Sequence, residues 1–454
     1  MKRTTITLGL CTVLATSLAF GAVSEEEAKK LGDELTLFGA EAAGNADGTI
    51  PPWDPAQAQI SPPADYKPGS GRYPNPFAAD TPLFTISADN LDEHRDKLDQ
   101  GTIALINRWP ETYKLHVYPT RRTAPYPEWV LENTVENATS ATLVNELGEG
   151  VEGAYGGIPF PLPKNGLEVV WNNFLAYQPV AQEGYSIGYL VDAGGSVTNV
   201  GEYAGYFENQ YYNPDNTQLD GTAYNKMLNL ARAPARKAGE GSLTHYSIDY
   251  TRNDQTNWSY SPGQRRVRLA PEFKYDTPSA TYGGGIFYDE VYLIAGRPDK
   301  FDWKLVGKKE VYIPYNAYDL TQGSPQEALQ QQHVNPENVR WELHRVWEVE
   351  ATLRPGERHA YSKRTFLFDE DSWKVVSAIG YDQAGEVYRV GYQGLWQLYD
   401  PKSPYFYQSF WVYDLQKRQY LISPIWGDRG HLRPVDARPP YATRSSALQG
   451  TGVR

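Results

Sequence analysis

Trp341-Glu-Leu-His-Arg-Val-Trp-Glu-Val-Glu-Ala-Thr-Leu353 opens the stretch whose reading decides the fold. Apolar residues hold the odd positions Trp341, Leu343, Trp347, Val349, Ala351 and Leu353; polar ones hold the even positions Glu342, His344, Glu348, Glu350 and Thr352. Successive side chains leave a strand on opposite sides, so a period of two predicts one apolar and one solvated face. The pattern breaks only where Arg345 and Val346 exchange roles. Pro355-Gly356 then joins a fixed φ to a permissive one, as a type II turn requires. The chain returns from Tyr361 to Phe368, turns at Asp369-Glu370-Asp371, runs out from Trp373 to Tyr381 and turns again at Asp382 to Gly385. Tyr388, Val390, Tyr392 and Trp396 then share a face. This meander predicts a large curved antiparallel sheet over an apolar interior, either packed core or room for a ligand.

The composition narrows the function classes. Among 454 residues there are 34 Tyr and 12 Trp but only two Met, so the apolar surfaces must be built from rigid rings with polar tips. A formal charge of −12 argues against a nucleic-acid partner. At the N-terminus, Lys2-Arg3, the mostly apolar Thr4 to Phe20 and the small-x-small Ala19-Phe20-Gly21 read as a secretory signal cleaved near Gly21. Cys11, the one cysteine, falls inside that signal and follows Leu10 rather than the small residue a lipidation site needs. The mature chain is therefore expected to be free of thiols, in a bacterial periplasm or peripheral to the outer membrane.

The chain divides into the signal (1–21), an N-terminal helix with a Pro/Gly-rich extended segment (22–90), one β-rich domain (91–432) and a loosely ordered tail (433–454). Helices are expected at Ser24 to Phe38, Leu91 to Leu98, Tyr126 to Asn137, Asn165 to Tyr177, Tyr224 to Ala233 and Gln326 to Gln332. Tyr113 to Tyr118 alternates like a strand. From Gly241 onward the reading is almost entirely β, with a hairpin over Asn257 to Leu269, a strand with a kink near Gly307 and a last hairpin around Phe410 to Ile422.

Trp258-Ser-Tyr-Ser-Pro-Gly-Gln-Arg-Arg-Val-Arg268 resembles a hairpin of outer-membrane lipoprotein-sorting-like proteins. Trp303-Lys-Leu-Val-Gly-Lys-Lys-Glu-Val-Tyr-Ile-Pro-Tyr-Asn316, Trp341 to Trp347 and Arg354-Pro-Gly-Glu-Arg-His359 resemble, more specifically, domain-of-unknown-function family 1329. The resemblance implies a mainly β fold with α, a half-open β-barrel like that of the lipoprotein carrier and its receptor, with helices plugging or covering a cavity for acyl chains. It also implies partners: a hydrophobic ligand or lipid, a resistance-nodulation-division-type exporter and an outer-membrane-associated protein. It brings no catalytic residues and no cofactor. The chain is more than twice as long as the simple carriers and lacks a lipidated cysteine, which argues against an anchored receptor role.

Each enzyme-like motif meets a plainer explanation. Gly184-Tyr-Ser186-Ile-Gly188 matches a nucleophile elbow in letters, but the elbow needs a core strand before the Ser and a helix after it. The histidines, His344 and His359 included, show no metal-ligand spacing and read as surface residues. Asp289-Glu290, Asp369-Glu370-Asp371, Glu348 and Glu350 offer paired carboxylates for glycoside chemistry but read as turns and a solvated face. Neither a catalytic residue nor a metal ligand is assigned. The aromatic residues Trp258, Tyr260, Trp303, Tyr312, Trp341, Trp347, Trp373, Tyr388 and Trp396 are the candidates for lining a ligand cavity under the meander. Arg265, Arg266 and Arg268 are candidates for holding an anionic headgroup. The reading that follows is a periplasmic, non-enzymatic carrier or adaptor for a hydrophobic ligand; the alternatives are a carbohydrate-active or esterase-like hydrolase and a structural partner of an envelope assembly.

Overall fold

The structure, a computed structural model, describes residues 22–270, 274–400 and 403–451. The expected signal and Cys11 lie outside the described residues. The period-two stretches form strands Arg340–Leu353, Lys363–Asp369, Val375–Tyr381 and Val387–Leu398, each antiparallel to the next. Gly356 and Gly385 supply the positive φ of their turns (88° and 82°). Phe301–Pro314 runs antiparallel along Arg340–Leu353, with a register shift between Leu305 and Gly307 where the kink is expected.

The sheet then continues through Tyr405–Asp414 and Gln419–Ile425 into Ala181–Val191, Val197–Glu208, Ala223–Ala233, Gly241–Ser247, Thr256–Ser261 and Arg266–Leu269. At its other end Leu115–Val117 pairs in parallel with Arg340 and Trp341, and Phe84–Ile86 pairs with Leu115–Val117. Sixteen strands join in one open, largely antiparallel sheet with helical segments laid on it. This is the expected fold class.

Three local readings are corrected. Tyr224 to Ala233, rich in helix-favouring Lys, Met, Leu, Ala and Arg, is the strand Ala223–Ala233, paired on one edge with Val197–Glu208 and on the other with Gly241–Ser247. Two ladders outweigh a propensity worth tenths of a kcal/mol per residue. The β region therefore begins near Ala181, well before Gly241. The helix expected from Ser24 to Phe38 spans only Glu25–Ala28, closed at its start by a Ser24/Glu27 capping box and followed by Gly32 at φ 85°.

Both faces of the sheet are covered. On one, helix Gln100–Arg108 packs Ile103, Leu105 and Ile106 with Val390, Tyr392 and Trp411. A Cβ at Gly101 would lie 2.7 Å from Val390 Cγ1, so only glycine lets this helix approach so closely. On the other face, helix Gly166–Phe174 and the segment Tyr288–Leu293 join Phe366, Phe368, Phe410 and Val412 in a second core. The expected wet face of Arg340–Leu353 is wet only in its second half. Glu342 and His344 are fully buried, because Arg121 N donates to Glu342 (2.8 Å) and Arg345 Nη1 donates to Ala43 O (3.0 Å), drawing two irregular segments over that face. After Arg433 the chain stays against the sheet: Leu448 is buried among Leu228, Leu243 and Tyr260.

Candidate functional site

A cavity of about 100 Å³ lies where the meander faces the strands from Ala181 to Ser247. Phe207, Tyr224, Met227 and Tyr246 come from those strands, Gln393, Tyr407 and Gln408 from the later ones, and Phe174 from helix Gly166–Phe174. Val291 and Tyr292 line it from the segment Tyr288–Leu293, and Ile294 from just after that segment. A neighbouring cavity of about 40 Å³ shares Phe207, Met227, Tyr292 and Tyr407 with it. A larger cleft of about 480 Å³ lies between Trp53, Tyr126, Trp129 and Tyr212, but its wall at Ser403 and Pro404 adjoins residues 401–402, which the structure does not describe.

The segment over the cavity is a plug under backbone tension. Tyr292 and Leu293 both have left-handed backbones (φ 51° and 68°), a conformation unfavourable by roughly 1–3 kcal/mol for each residue with a side chain. What holds it down is charge. Asp289 Oδ2 accepts from Arg364 Nη1 (3.0 Å) and from His359 Nε2 (2.9 Å). Tyr361 N donates to His359 Nδ1, which leaves the proton on Nε2, facing the carboxylate. Glu290 accepts from Arg389 (2.5 Å) and from the Tyr361 hydroxyl, and Arg389 also meets Asp414 (3.0 Å). Arg364 and Gln393 further donate to the carbonyls of Leu293 and Tyr292. Burial pushes Asp289 up, yet Arg364 and His359 outweigh it and hold the carboxyl below its usual range. The pair Asp289-Glu290 is thus an ionic latch, and His359 is buried rather than at the surface.

One cation in the cavity has no such partner. Lys374 lines it, is buried, and meets no carboxylate within ion-pair distance among the described residues. Burial alone pushes its amine down to about 7. Burial also raises the phenols of Tyr224, Tyr246, Tyr292 and Tyr407, which stay neutral. Gln393 Oε1 and Gln408 Oε1, both buried, have no hydrogen-bond partner.

The aromatic candidates occupy other places. Trp258 and Tyr260 belong to the cluster around Leu448, and Tyr312 and Trp341 to the core under helix Gln100–Arg108. Trp303 stacks on Phe366 (5.6 Å), Trp347 on Trp373 (6.3 Å), and Trp373 Nε1 donates to Phe38 O. Tyr388 packs on Tyr361, and Trp396 is fully buried against Tyr73 and Trp426. None of the nine lines the two interior cavities. Arg265, Arg266 and Arg268 are exposed on the hairpin at the sheet edge.

Ser186 sits inside strand Ala181–Val191, opposite Tyr203, with no helix following it, so the elbow geometry is absent. The acids Asp369-Glu370-Asp371 are buried, not solvated. Asp371 takes two bonds from Arg122 (2.9 and 2.6 Å), and Glu370 meets Lys308 (2.8 Å). His344, Asp369 and Asp371 bring potential ligand atoms within 4.8 Å of one another. Arg122 already occupies Asp371 there, and Glu342 shares His344 (3.2 Å). Burial and the charge of Asp371 push Asp369 up to about 7. This cluster fastens the N-terminal segment to the meander: Arg122 also donates to Glu41 O (2.9 Å).

Among the described residues no helix is long and apolar enough to cross a membrane. The chain is 42% identical over 435 residues to the uncharacterized protein PA3922 of Pseudomonas aeruginosa, covering 93% of this chain and 92% of that protein. Two crystal structures are more distantly similar. A putative outer membrane lipoprotein-sorting protein domain from Vibrio parahaemolyticus is 12% identical, with 63% of this chain and 98% of that one covered and a TM-score of 0.43. A DUF1329 family protein from Desulfovibrio piger is 14% identical, with 62% and 97% covered and a TM-score of 0.41. The family model for proteins of unknown function called DUF1329 matches residues 85–445, and the chain belongs to that family.

Proposed function

We propose that the protein is a non-enzymatic carrier for a hydrophobic ligand in the bacterial periplasm, taking that ligand between the arms of its open sheet. The observation that carries this reading is the plug: a strained, ion-latched segment roofs a cavity lined by Phe207, Tyr224, Met227, Tyr246 and Tyr407. A packed core has no need of a separately fastened cover. Ligand pockets usually measure roughly 300–1,000 Å³, so a cavity of about 100 Å³ has to widen before it holds a ligand. Uptake then requires the plug to lift, and an entering chain gains about 0.8 kcal/mol for each methylene it buries. Catalysis finds no support in Ser186 or in the latched acids. The exporter and outer-membrane partner rest on resemblance alone.

The reading is tested on protein purified from its native envelope. Native mass spectrometry with organic extraction should find a co-purifying hydrophobic molecule; a chain that is empty from every preparation would overturn the carrier reading. Fractionation with intact-mass analysis should place a chain lacking Met1 to Gly21 in the periplasm.

A further inference from the structure

We infer that the ligand is an amphiphilic carboxylic acid whose carboxylate pairs with Lys374 inside the cavity. This rests on the carrier reading and adds the class of ligand to it.

The argument is one of charge balance. A buried ammonium without a counter-ion is unfavourable, and proteins rarely keep one without a use. The acids beside the cavity and on the turn before Lys374 each have partners of their own, although one oxygen each of Asp289 and Asp369 accepts no hydrogen bond among the described residues. Asp289 is held by Arg364 and His359, and Glu290 by Arg389. Glu168, at the far end of helix Gly166–Phe174, accepts from Lys164 N and Asn165. On the turn before Lys374, Asp369 accepts from Ser372, Glu370 meets Lys308 and Asp371 meets Arg122. The cavity tyrosines stay protonated and its other polar groups are amides. An anion that keeps this amine charged must come from outside the chain.

A second, independent observation lies in the same cavity. Gln393 and Gln408 are at least nine-tenths buried and each carries an unpartnered carbonyl oxygen there. Such acceptors suit a hydroxyl on the ligand. The rest of the wall combines four more amides, Asn173, Gln178, Gln182 and Asn225, with aromatic and aliphatic side chains that suit the body of the amphiphile. One positive charge balances one carboxylate, and among the described residues no second cation lines the cavity for a dianionic headgroup.

The amine gives the pairing a pH signature. Its pKa is about 7 in the closed protein, and a bound carboxylate raises it. Affinity for an acid is therefore greatest below pH 7 and falls as pH rises through the amine's value in the complex. A neutral ester has no such dependence.

The test uses the mature chain with cis-parinaric acid and its methyl ester as fluorescent probes. Wild type should bind the acid at least tenfold more tightly than the ester at pH 6.5, and this ratio should shrink toward pH 9. Lys374→Met should bring the acid down to the level of the ester and leave the ester unchanged; Lys374→Arg should keep a preference for the acid. The pH series on wild type needs no variant, so a folding failure of Lys374→Met does not remove the test. If the ester binds but acid and ester are equal at every pH, the assignment to Lys374 is wrong while the carrier reading stands. If neither probe binds to wild type or to Arg364→Met, in which the latch to Asp289 is removed, the carrier reading fails and takes this inference with it.

Discussion

Replacing Arg364 with Met tests whether the plug is a unit that opens. The Arg364 side chain is 4% exposed and makes two contacts to the plug: Nη1 to Asp289 Oδ2 (3.0 Å) and Nη2 to Leu293 O (2.8 Å). Methionine keeps part of the aliphatic stem while removing the guanidinium, whose carbon lies over the Phe366 and Tyr361 rings (4.7 and 5.4 Å). Removing one partner of a buried ion pair costs about 3–5 kcal/mol, because the other charge remains buried. If the plug opens locally, its opening equilibrium rises by roughly a hundred- to several-thousand-fold. Hydrogen exchange reads this directly. The amides of Tyr288, Asp289 and Ala295, bonded to Thr277 O, Tyr275 O and Asp289 O respectively, should lose protection. Those of Val375–Tyr381 should not. Equal acceleration in both places would show that the plug is an inseparable part of the core, and unchanged protection would show that the latch holds nothing; either result refutes the reasoning. The pH dependence has a definite sign. The folded Asp289 carboxyl lies below its ordinary value, so its stabilisation is present above about pH 4 and lost as pH falls through the folded value. Acid should loosen the plug of wild type more than that of the variant.

Other substitutions separate packing from function. Trp396→Ala should cost about 3–5 kcal/mol of stability, seen as a lower melting temperature, with probe binding by the surviving folded protein unchanged. Arg122→Met strands Asp371 and frees Glu41 O; about 3–5 kcal/mol spread over a chain this long lowers the melting temperature by about 3–6 °C, and limited proteolysis should cut sooner between Glu41 and Pro51. Ser186→Ala, in mid-strand, should stay within about 0.5 kcal/mol of wild type in thermal unfolding.

Much of the fold was legible because strand period and turn chemistry are local. Pro355-Gly356, Asp382 to Gly385 and the alternation from Trp341 to Leu353 needed no distant partner to be read. Tyr224 to Ala233 misled because its side chains favour a helix, and only the pairing with the strands just before and after it overrides that preference. Glu342 and His344 misled for a related reason: the residues that bury them, near Glu41 and Arg121, are more than two hundred positions away. The site was harder still. Aromatic residues announce apolar contact but not whether the neighbour is a side chain or a ligand, and Trp373 and Trp396 found side chains. Lys374 carried no local signal. It follows a run of acids in what reads as an exposed turn, and its isolation is visible only once Arg122, Lys308 and Ser372 have claimed those acids.

An open sheet ends in two rims, each a row of backbone groups on which a second copy could grow a further strand. One rim here is formed by Phe84–Ile86, three residues long and too short to template much, and by Phe301–Pro314, which pairs with Arg340–Leu353 alone among the described strands. The other is Arg266–Leu269, where Arg266 and Arg268 stand exposed beside Arg265 in the turn. Two such rims brought together would press six guanidinium groups against one another. Seen this way, the arginines oppose edge-to-edge growth of an unclosed sheet, and neutralising all three should promote fibres or aggregates, visible by light scattering.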